Sequence, residues 1–293
     1  MHVPLTSSTL NAILSRTRDT DVLTRKLVYS AALQPKLSHP RQLTIAQREQ
    51  VVKDGLGDRE PSVRVATGKM VGSWFDAVLT EVDEPEGGTW LGDDGGVMKG
   101  FVKFLSLFDV VGPGEAVAVD AMLSIFVTRP DISDVFVFPG WLSCFIHPNS
   151  LPHSFVLDTF WQQLVPESAV LARVFVEHCI NTKNELRLEV ASLPVVTAFA
   201  FYLQDAYNAL LDTLQEVENA RLLNAGQDDE DEEVERREED LAKREVILAE
   251  LLRMALKLDY MDEIGRRKVF SVVRKCLCFH SCQFTWTKNY AFR

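Results

Sequence analysis

One short pattern occurs twice in this chain, 39 residues apart. The first copy runs from Asp19 to Arg25 and the second from Asp58 to Arg64, so each places an Arg six residues after an Asp. The apolar residues that follow each copy have helical spacing, which predicts amphipathic helices. Because an amphipathic helix must bury its apolar face against a neighbour, the recurrence favours helix pairs that stack on one another.

A period near 40 residues is typical of HEAT-type repeats. The sequence therefore predicts an all-α fold, a HEAT-repeat helical solenoid with long loops and one acidic disordered segment. A solenoid offers a long surface, and no catalytic motif is recognisable, so we predict a protein that holds a large partner and is not an enzyme. We also predict no cofactor and no metal site, since the potential ligands of Cys276–Cys282 are crowded instead of forming separated pairs.

Composition divides the predicted solenoid into segments. Glycines and acids interrupt the helical spacing after residue 80, and like charges repel one another in a later acidic run. Helical spacing stops near residue 278, which makes the final segment a tail of doubtful authenticity. The predicted segments are basic HEAT-type helix pairs over 1–80, a loop over 81–100, a helical continuation of the solenoid over 101–223, an acidic disordered loop over 224–240, a HEAT-like helix pair over 241–277 and the tail over 278–293.

Three local predictions concern turns and short elements. Gly55 and Gly57 are predicted to end a helix, because glycine tolerates the left-handed conformation of a helix end. Val135–Phe138 favours a strand by propensity whereas its neighbours favour a helix, and both alternatives stay open. Asp262 and Lys268 form a loose further copy of the Asp-to-Arg pattern.

Charge is unevenly distributed along the chain, whose net charge is −11. Residues 1–70 contain eleven Lys and Arg against six acids, whereas the remaining residues contain 20 basic and 36 acidic side chains. A basic end is compatible with a nucleic-acid partner, although a solvated helix face explains it equally well. The longest uncharged stretch, 135–157, contains three prolines and does not predict a membrane-spanning helix.

Four sequence blocks resemble the CAP-G subunits of the condensin complex, a HEAT-repeat family. They lie in the family's order across most of residues 15–275, and the second block is the most specific. Because members of that family are several times longer, the resemblance implies that this chain corresponds to a central fragment. The blocks are RDTDVLTRKLVY from Arg18, LTIAQREQVVKDGLGDREPSVRVATGKMVGSW from Leu43, PVVTAFAFYLQDAYNALLDT from Pro194 and LAELLRMALKLDYMDEIGRRKVFSVVR from Leu248.

The resemblance implies a non-catalytic scaffold subunit that binds the kleisin subunit and duplex DNA, without sequence specificity, in mitotic chromosome condensation. It also implies indirect association with other condensin subunits, no membrane partner, and residence in the nucleus and on condensed chromosomes, with a cytoplasmic pool between divisions. The alternative is a HEAT-repeat adaptor that binds only proteins, such as a transport or phosphatase scaffold.

Two roles are predicted for the charged residues of the basic end. The repeated Asp and Arg are expected to brace neighbouring repeats through charge-assisted hydrogen bonds, as a structural ladder. Basic residues beside the turns and on exposed helix faces are expected to contact DNA phosphates, with a solvated surface as the alternative. The ladder residues are Asp19, Arg25, Asp58 and Arg64, and they are expected to be poor candidates for DNA contact. The candidate DNA-binding residues are Arg16, Arg18, Lys26, Arg48, Lys53, Arg59 and Lys69.

Overall fold

A computed structural model describes residues 7–37, 39–82, 95–135, 159–190, 193–223 and 231–290. Every regular element in these ranges is a helix, which confirms the predicted all-α fold. The chain divides into two compact units, Met1–Pro139 and Gly140–Arg293. This division falls inside the segment 101–223, which the sequence predicted as one continuous part of the solenoid.

The first unit consists of three successive helix pairs and a short final helix. A 3₁₀ turn, Ser15–Arg18, extends the first helix, and a π-helical stretch, Val28–Leu33, joins the second helix to the third. The helices are α1 (Ser7–Leu14), α2 (Val22–Leu27), α3 (Gln34–Lys36), α4 (Ile45–Leu56), α5 (Pro61–Val82), α6 (Gly95–Leu105), α7 (Glu115–Thr128) and α8 (Pro130–Val135). The pairs are α1 with the continuous α2 and α3, then α4 with α5, and then α6 with α7. Helix α5 is the central element, because it packs against α4, α6 and α7.

Local sequence determines where these helices begin. The Asp21 carboxylate caps α2 by accepting a hydrogen bond from the backbone N–H of Thr24 at 2.8 Å. Thr44 and Gln47 form a reciprocal capping box at the start of α4. Pro61 is the first residue of α5, a position where the missing N–H of proline costs nothing.

Aromatic side chains fill the core of the first unit. Phe75 of α5 lies 4.5 Å from Phe101 of α6, measured between ring centroids, and Phe101 lies 5.4 Å from Phe126 of α7. Tyr29 of the π-helical stretch is fully buried and donates its hydroxyl to the carbonyl oxygen of Val51 at 3.2 Å. These contacts tie each helix pair to the next.

Gly55 has a different role from the one predicted. Helix α4 continues through Gly55 to Leu56, and its C-cap Gly57 has a right-handed φ of −82°. A Cβ atom on Gly55 would lie 2.3 Å from Thr67 Oγ1 and 2.7 Å from Tyr29 Cζ. Gly55 therefore allows α4 to approach α5 and the π-helical stretch closely, and neither glycine ends the helix by a left-handed conformation.

Gly55→Ala is expected to lower the free energy of unfolding by about 1–2 kcal/mol, because the added methyl group overpacks the core. Gly96→Ala serves as the matched control. A Cβ atom on Gly96, also in a helix, meets nothing within 4 Å. The control should leave the stability unchanged or raise it by up to about 1 kcal/mol. Urea unfolding of both variants measures the difference, and equal effects would contradict the packing role of Gly55.

The loop predicted over 81–100 is shorter at both ends in the structure. Helix α5 extends to Val82, and α6 begins at Gly95 and includes Gly100. Packing compensates for the weak helix propensity of glycine, since Gly100 is buried beside Leu79 and Phe75. Residues 83–94 lie outside the described residues, as does most of the ambiguous stretch 131–152, of which Asp131–Val135 is helical.

The second unit is built around a long helix that packs against two others. Its helices are α9 (Thr159–Gln162), α10 (Pro166–Asn181), α11 (Glu185–Val190), α12 (Val196–Leu223), α13 (Asp231–Ala255) and α14 (Glu263–Tyr290). The long helix α12 packs against α13 and α14, and α13 also packs against α10. The buried faces of these helices include Phe199 and Leu203 of α12, Met254 of α13 and Val272 of α14.

A buried ion pair connects two helices of this unit. Arg173 Nε of α10 lies 2.5 Å from Glu250 Oε2 of α13, and the two side chains are 9% and 1% exposed. Glu177 and Arg253 add a second carboxylate and a second guanidinium to the network. All four residues lie on these two helices, so the network fixes α10 against α13.

The acidic segment predicted to be disordered over 224–240 is helical from Asp231 onward, and 224–230 lies outside the described residues. Basic side chains offset the repulsion that the prediction relied on. Arg237 pairs with Glu233 at 2.9 Å one turn away, and Arg221 of α12 pairs with Glu238 at 2.6 Å. Acids at a helix N-terminus also interact favourably with the helix dipole.

The backbone of α14 continues to Tyr290, although helical spacing was predicted to stop near residue 278. The segment 263–290 contains no proline and only Gly265 among the glycines, so nothing in it interrupts the backbone hydrogen bonds of a helix. Among the described helices, none combines the length and apolar character needed to cross a membrane.

Candidate functional site

The first site element is a bracing contact between the turns of the first two helix pairs. Arg25 Nε and Nη2 donate to the two carboxylate oxygens of Asp58 at 2.6 and 3.1 Å. Arg25 Nη1 donates to the carbonyl oxygens of Asp19 and Thr20, at 2.8 and 3.2 Å. One guanidinium therefore holds its own turn and binds the acid of the next repeat, which is the predicted ladder contact.

The carboxylates of this ladder also order their own turns. Asp58 Oδ1 accepts the backbone N–H of Glu60 at 2.8 Å, and Asp19 Oδ1 accepts that of Asp21 at 3.0 Å. The Arg25 guanidinium lowers the pKa of Asp58. For Asp19, the Asp21 N–H and then Arg16 lower the carboxyl pKa. Both shifts favour the charged carboxylate, and for Asp58 this is the form that binds Arg25.

Asp262 does not repeat this arrangement. It caps α14 by accepting the backbone N–H groups of Ile264 and Gly265, both at 3.1 Å, and it accepts the Thr197 hydroxyl at 2.5 Å. Lys268, the predicted partner, instead lies 4.7 Å from the centre of the Phe201 ring. Asp262 is therefore a helix cap, and Lys268 makes a cation–π contact.

The candidate DNA-binding residues are mostly exposed, but they differ in their ion pairs. Arg16 lies 2.8 Å from Asp19, and Arg18 lies 3.0 Å from Asp54. The remaining exposed candidates have no ion pair among the residues that the structure describes. They are Lys26, Lys53, Arg59 and Lys69.

Arg48 was predicted to contact DNA from an exposed helix face, but the structure shows that it is buried. Its guanidinium donates to the carbonyl oxygens of Pro40 at 3.1 Å and Leu43 at 2.9 Å, and also to that of Leu107. Burial lowers the pKa of Arg48. The residue joins the segment before α4 to the turn after α6, so it cannot contact DNA and acts as a structural cation.

A shallow groove of about 310 Å³ lies at these turns. Its lining alternates in charge, since three arginines face three aspartates, so the groove itself offers no excess of positive charge. The lining residues are Thr17, Arg18, Asp19, Arg25, Asp54, Gly57, Asp58 and Arg59.

A second basic cluster of the first unit was missed in the sequence. Glu81 pairs with His39 at 2.9 Å, and with Arg41 and Lys103 at 3.0 Å each. Lys103, followed by His39 and Arg41, lowers the pKa of Glu81, whereas burial lowers that of His39. The members are up to 64 residues apart in the chain, so no local pattern could have revealed the cluster.

Two adjoining grooves of about 190 and 390 Å³ occur in the second unit. They share Leu164, Arg244 and Ile247, and the smaller one contains Trp161 and Tyr202, whose rings stack with centroids 6.1 Å apart. The grooves therefore form one surface with an aromatic floor and a charged rim. Among the described side chains, no His, Cys, Asp and Glu residues converge as a potential metal site.

Paired helices that are braced at their turns define an all-α helical-repeat protein of the HEAT-like class. No protein-family model matches the chain. It is 28% identical over 278 residues to condensin complex subunit 3 of Schizosaccharomyces pombe, covering 94% of this chain and 24% of that protein. Condensin complex subunit 3 of Saccharomyces cerevisiae is 26% identical over 269 residues, covering 90% of this chain and 20% of the relative.

A solved structure shares the fold. It is the crystal structure of the S. pombe condensin Cnd3–Cnd2 subcomplex, with a TM-score of 0.66, 27% identity, and coverage of 94% of this chain and 28% of that chain. The chain is therefore similar over most of its length to condensin complex subunit 3, the CAP-G type, as its sequence blocks predicted. It spans a quarter or less of the length of the curated relatives that it matches.

Proposed function

We propose that this chain is a non-catalytic scaffold segment of a condensin CAP-G-type subunit, which binds the kleisin subunit and duplex DNA during mitotic chromosome condensation. The observation that carries the proposal is the similarity to condensin complex subunit 3 along most of the chain. Because the match covers only 24% and 20% of the two relatives, we propose that the chain corresponds to a fragment, and by our proposal a central one, of a longer subunit that acts in the nucleus and on chromosomes.

DNA is held, in this proposal, by the charge of the first unit and not by base recognition. Duplex DNA carries a dense row of phosphates, and each Lys or Arg that contacts one releases condensed counterions. Lys26, Lys53, Arg59 and Lys69 are the exposed candidates without an ion pair among the described residues. Arg16 and Arg18 would have to leave carboxylates to contribute, so they are weaker candidates.

The kleisin subunit is the proposed protein partner because the similar solved structure is a Cnd3–Cnd2 complex. The joined grooves of the second unit are a candidate surface for an extended kleisin segment. Half-buried Tyr202, stacked on the buried ring of Trp161, offers apolar contact area, and exposed Arg244 offers a charged hydrogen-bond donor at the rim. Aromatic anchors with a polar rim are common in peptide-binding surfaces.

The test is duplex binding by the whole chain as a function of salt, with and without a kleisin peptide. The whole chain is needed because a fragment ending near residue 220 would separate α12 from α13 and α14, against which it packs. The proposal expects log affinity to fall linearly with log salt. A slope near zero, together with retained peptide binding, would refute DNA binding and favour the adaptor that binds only proteins.

Reversing three exposed charges together, Lys26→Glu, Lys53→Glu and Arg59→Glu, should weaken duplex binding at low salt by at least about ten-fold. The salt slope should fall by about 2–3, since each lost phosphate contact removes about 0.9. Fluorescence anisotropy with duplexes of different sequence measures both quantities. The loss should be equal for all sequences, because phosphate contacts carry no base information.

The matched control reverses three exposed basic residues of the second unit, Lys257, Arg266 and Arg274. It changes the net charge by the same amount but lies outside the basic end. The control should change the salt slope little. If it weakens binding as much as the first variant, net charge and not the proposed surface determines affinity.

A further inference from the structure

Arg64 occupies the same place in its helix pair as Arg25 does in the preceding one. Its Nη1 donates to the carbonyl oxygens of Asp58 at 2.7 Å and Arg59 at 2.9 Å, as Arg25 Nη1 does to the corresponding carbonyls of its own turn. The guanidinium of Arg64 is therefore oriented by its turn before any ligand binds.

The opposite edge of this guanidinium is open. In Arg25, Nε and Nη2 donate a bidentate pair of hydrogen bonds to the Asp58 carboxylate of the next repeat. Among the described residues, no carboxylate lies within ion-pair distance of Arg64, whose side chain is exposed. The residue predicted as a ladder member thus lacks the contact that would make it one.

The reason lies in the turn of the third helix pair. Asp58 stands three residues before α5 begins, whereas Gly112 stands three residues before α7 begins. Glycine supplies no carboxylate, so the ladder ends at Arg64 for lack of an acceptor.

The acid of this turn, Asp109, accepts the backbone N–H of Gly112 at 3.0 Å and forms no ion pair with Arg64. The other acid to consider is Asp120 of α7. Gly68 of α5 lies close to Ser124 of α7, and Arg64 and Asp120 are each one turn earlier on these two helices. No ion pair joins them. Burial raises the pKa of Asp120, which is the opposite of what a paired guanidinium would cause. Asp120 therefore does not replace the missing acid.

We infer that the open Nε/Nη2 edge of Arg64 is a receptor for a backbone phosphate of duplex DNA, an inference that rests on the function proposed above. A guanidinium binds the tetrahedral phosphate oxygens through the same parallel N–H pair that binds a carboxylate. Arg59, exposed in the same turn, adds a second cation beside it. Duplex phosphate is taken as the ligand because the function proposed above supplies it, and the kleisin-peptide measurement below distinguishes it from a protein carboxylate.

The test compares Arg64→Ala, Arg64→Lys and Arg266→Ala in the whole chain, by duplex binding across a salt series. Arg266 is the matched control, because it is exposed and lies four residues after the N-cap Asp262, as Arg64 lies four residues after Glu60. Arg64→Ala should reduce the salt slope by about 0.9. Arg64→Lys should keep the slope but lower the affinity about three- to five-fold, since an ammonium group keeps the charge but cannot donate the bidentate pair of hydrogen bonds. Arg266→Ala should change neither quantity.

Thermal unfolding of each variant separates binding from stability, and Arg64→Lys decides the question if Arg64→Ala does not fold. An unchanged slope and affinity in both Arg64 variants, with normal salt-dependent binding by the unaltered chain, would overturn this inference alone. Absence of salt-dependent binding by the unaltered chain would overturn the proposed function as well. Loss of kleisin-peptide binding with an unchanged slope would assign the open edge to a protein carboxylate and also overturn the inference.

Discussion

Glu250→Ala is expected to lower the free energy of unfolding of the second unit by about 3–5 kcal/mol. The Glu250 side chain is 1% exposed and pairs with Arg173, which is 9% exposed, so its removal leaves a buried guanidinium with one fewer carboxylate. Urea unfolding followed by circular dichroism measures the loss. Amide hydrogen exchange should localise it to α10 and α13, the helices that the pair connects.

Two further variants define the origin of this loss. Arg173→Met combined with Glu250→Leu should recover most of the stability, because an apolar pair leaves no buried charge. Glu263→Ala breaks the exposed pair with Arg267 and should cost less than about 0.5 kcal/mol. A double variant as unstable as Glu250→Ala would mean that lost packing, and not the unpaired charge, explains the effect.

Asp58→Ala should lower the free energy of unfolding of the first unit by about 3 kcal/mol. The change removes both carboxylate acceptors of Arg25 and the acceptor of the Glu60 N–H, so two turns lose their connection. Urea unfolding measures this loss. Arg16→Ala is the control, since its pair with Asp19 involves an arginine side chain that is 65% exposed, and it should have little effect.

The same variant should change the pH dependence of stability. The Arg25 guanidinium lowers the pKa of Asp58 below its ordinary value of 3.8 in the folded state. A depressed folded pKa contributes stability above the unfolded pKa, and this contribution is lost as the pH falls below about 4. The unaltered chain should therefore lose more stability between pH 5 and pH 3 than Asp58→Ala does. Parallel curves would contradict the charged role of Asp58.

Local sequence chemistry accounts for where several helices of the first unit begin. Asp21 and Thr44 cap helices by accepting backbone N–H groups three residues away, and Pro61 begins α5 because its own ring fixes a helical φ. These interactions depend only on near neighbours in the chain, so the sequence is sufficient to predict them.

The errors have a common physical origin in contacts between distant residues. The acids of 231–240 were expected to repel one another, but Arg221 of another helix reduces that cost. Gly55 was assigned to a helix end because glycine tolerates a left-handed conformation, but its buried neighbours Thr67 and Tyr29 belong to other elements that the local sequence does not reveal. Helix propensity is a weak preference, and packing of this kind overrides it.

Arg48 and Arg64 illustrate the same limit at the candidate site. Both are basic residues of the same end of the chain, yet three backbone carbonyls enclose Arg48, whereas Arg64 is exposed and keeps one edge open. Nothing in their local sequence distinguishes these environments. The turn after α6 buries the first, and Gly112 in the turn of the third helix pair leaves the second without a carboxylate.

By itself, the sequence determined the all-α helical-repeat class and the similarity to condensin subunits, because the 39-residue period, the helix caps and the order of the four blocks are linear features of the chain. Only the tertiary structure decided which charges are buried, which are paired and which are exposed. An ion pair depends on distances between side chains that the chain separates by 33 residues for Arg25 and Asp58 and by 77 for Arg173 and Glu250. Packing of the helices sets those distances.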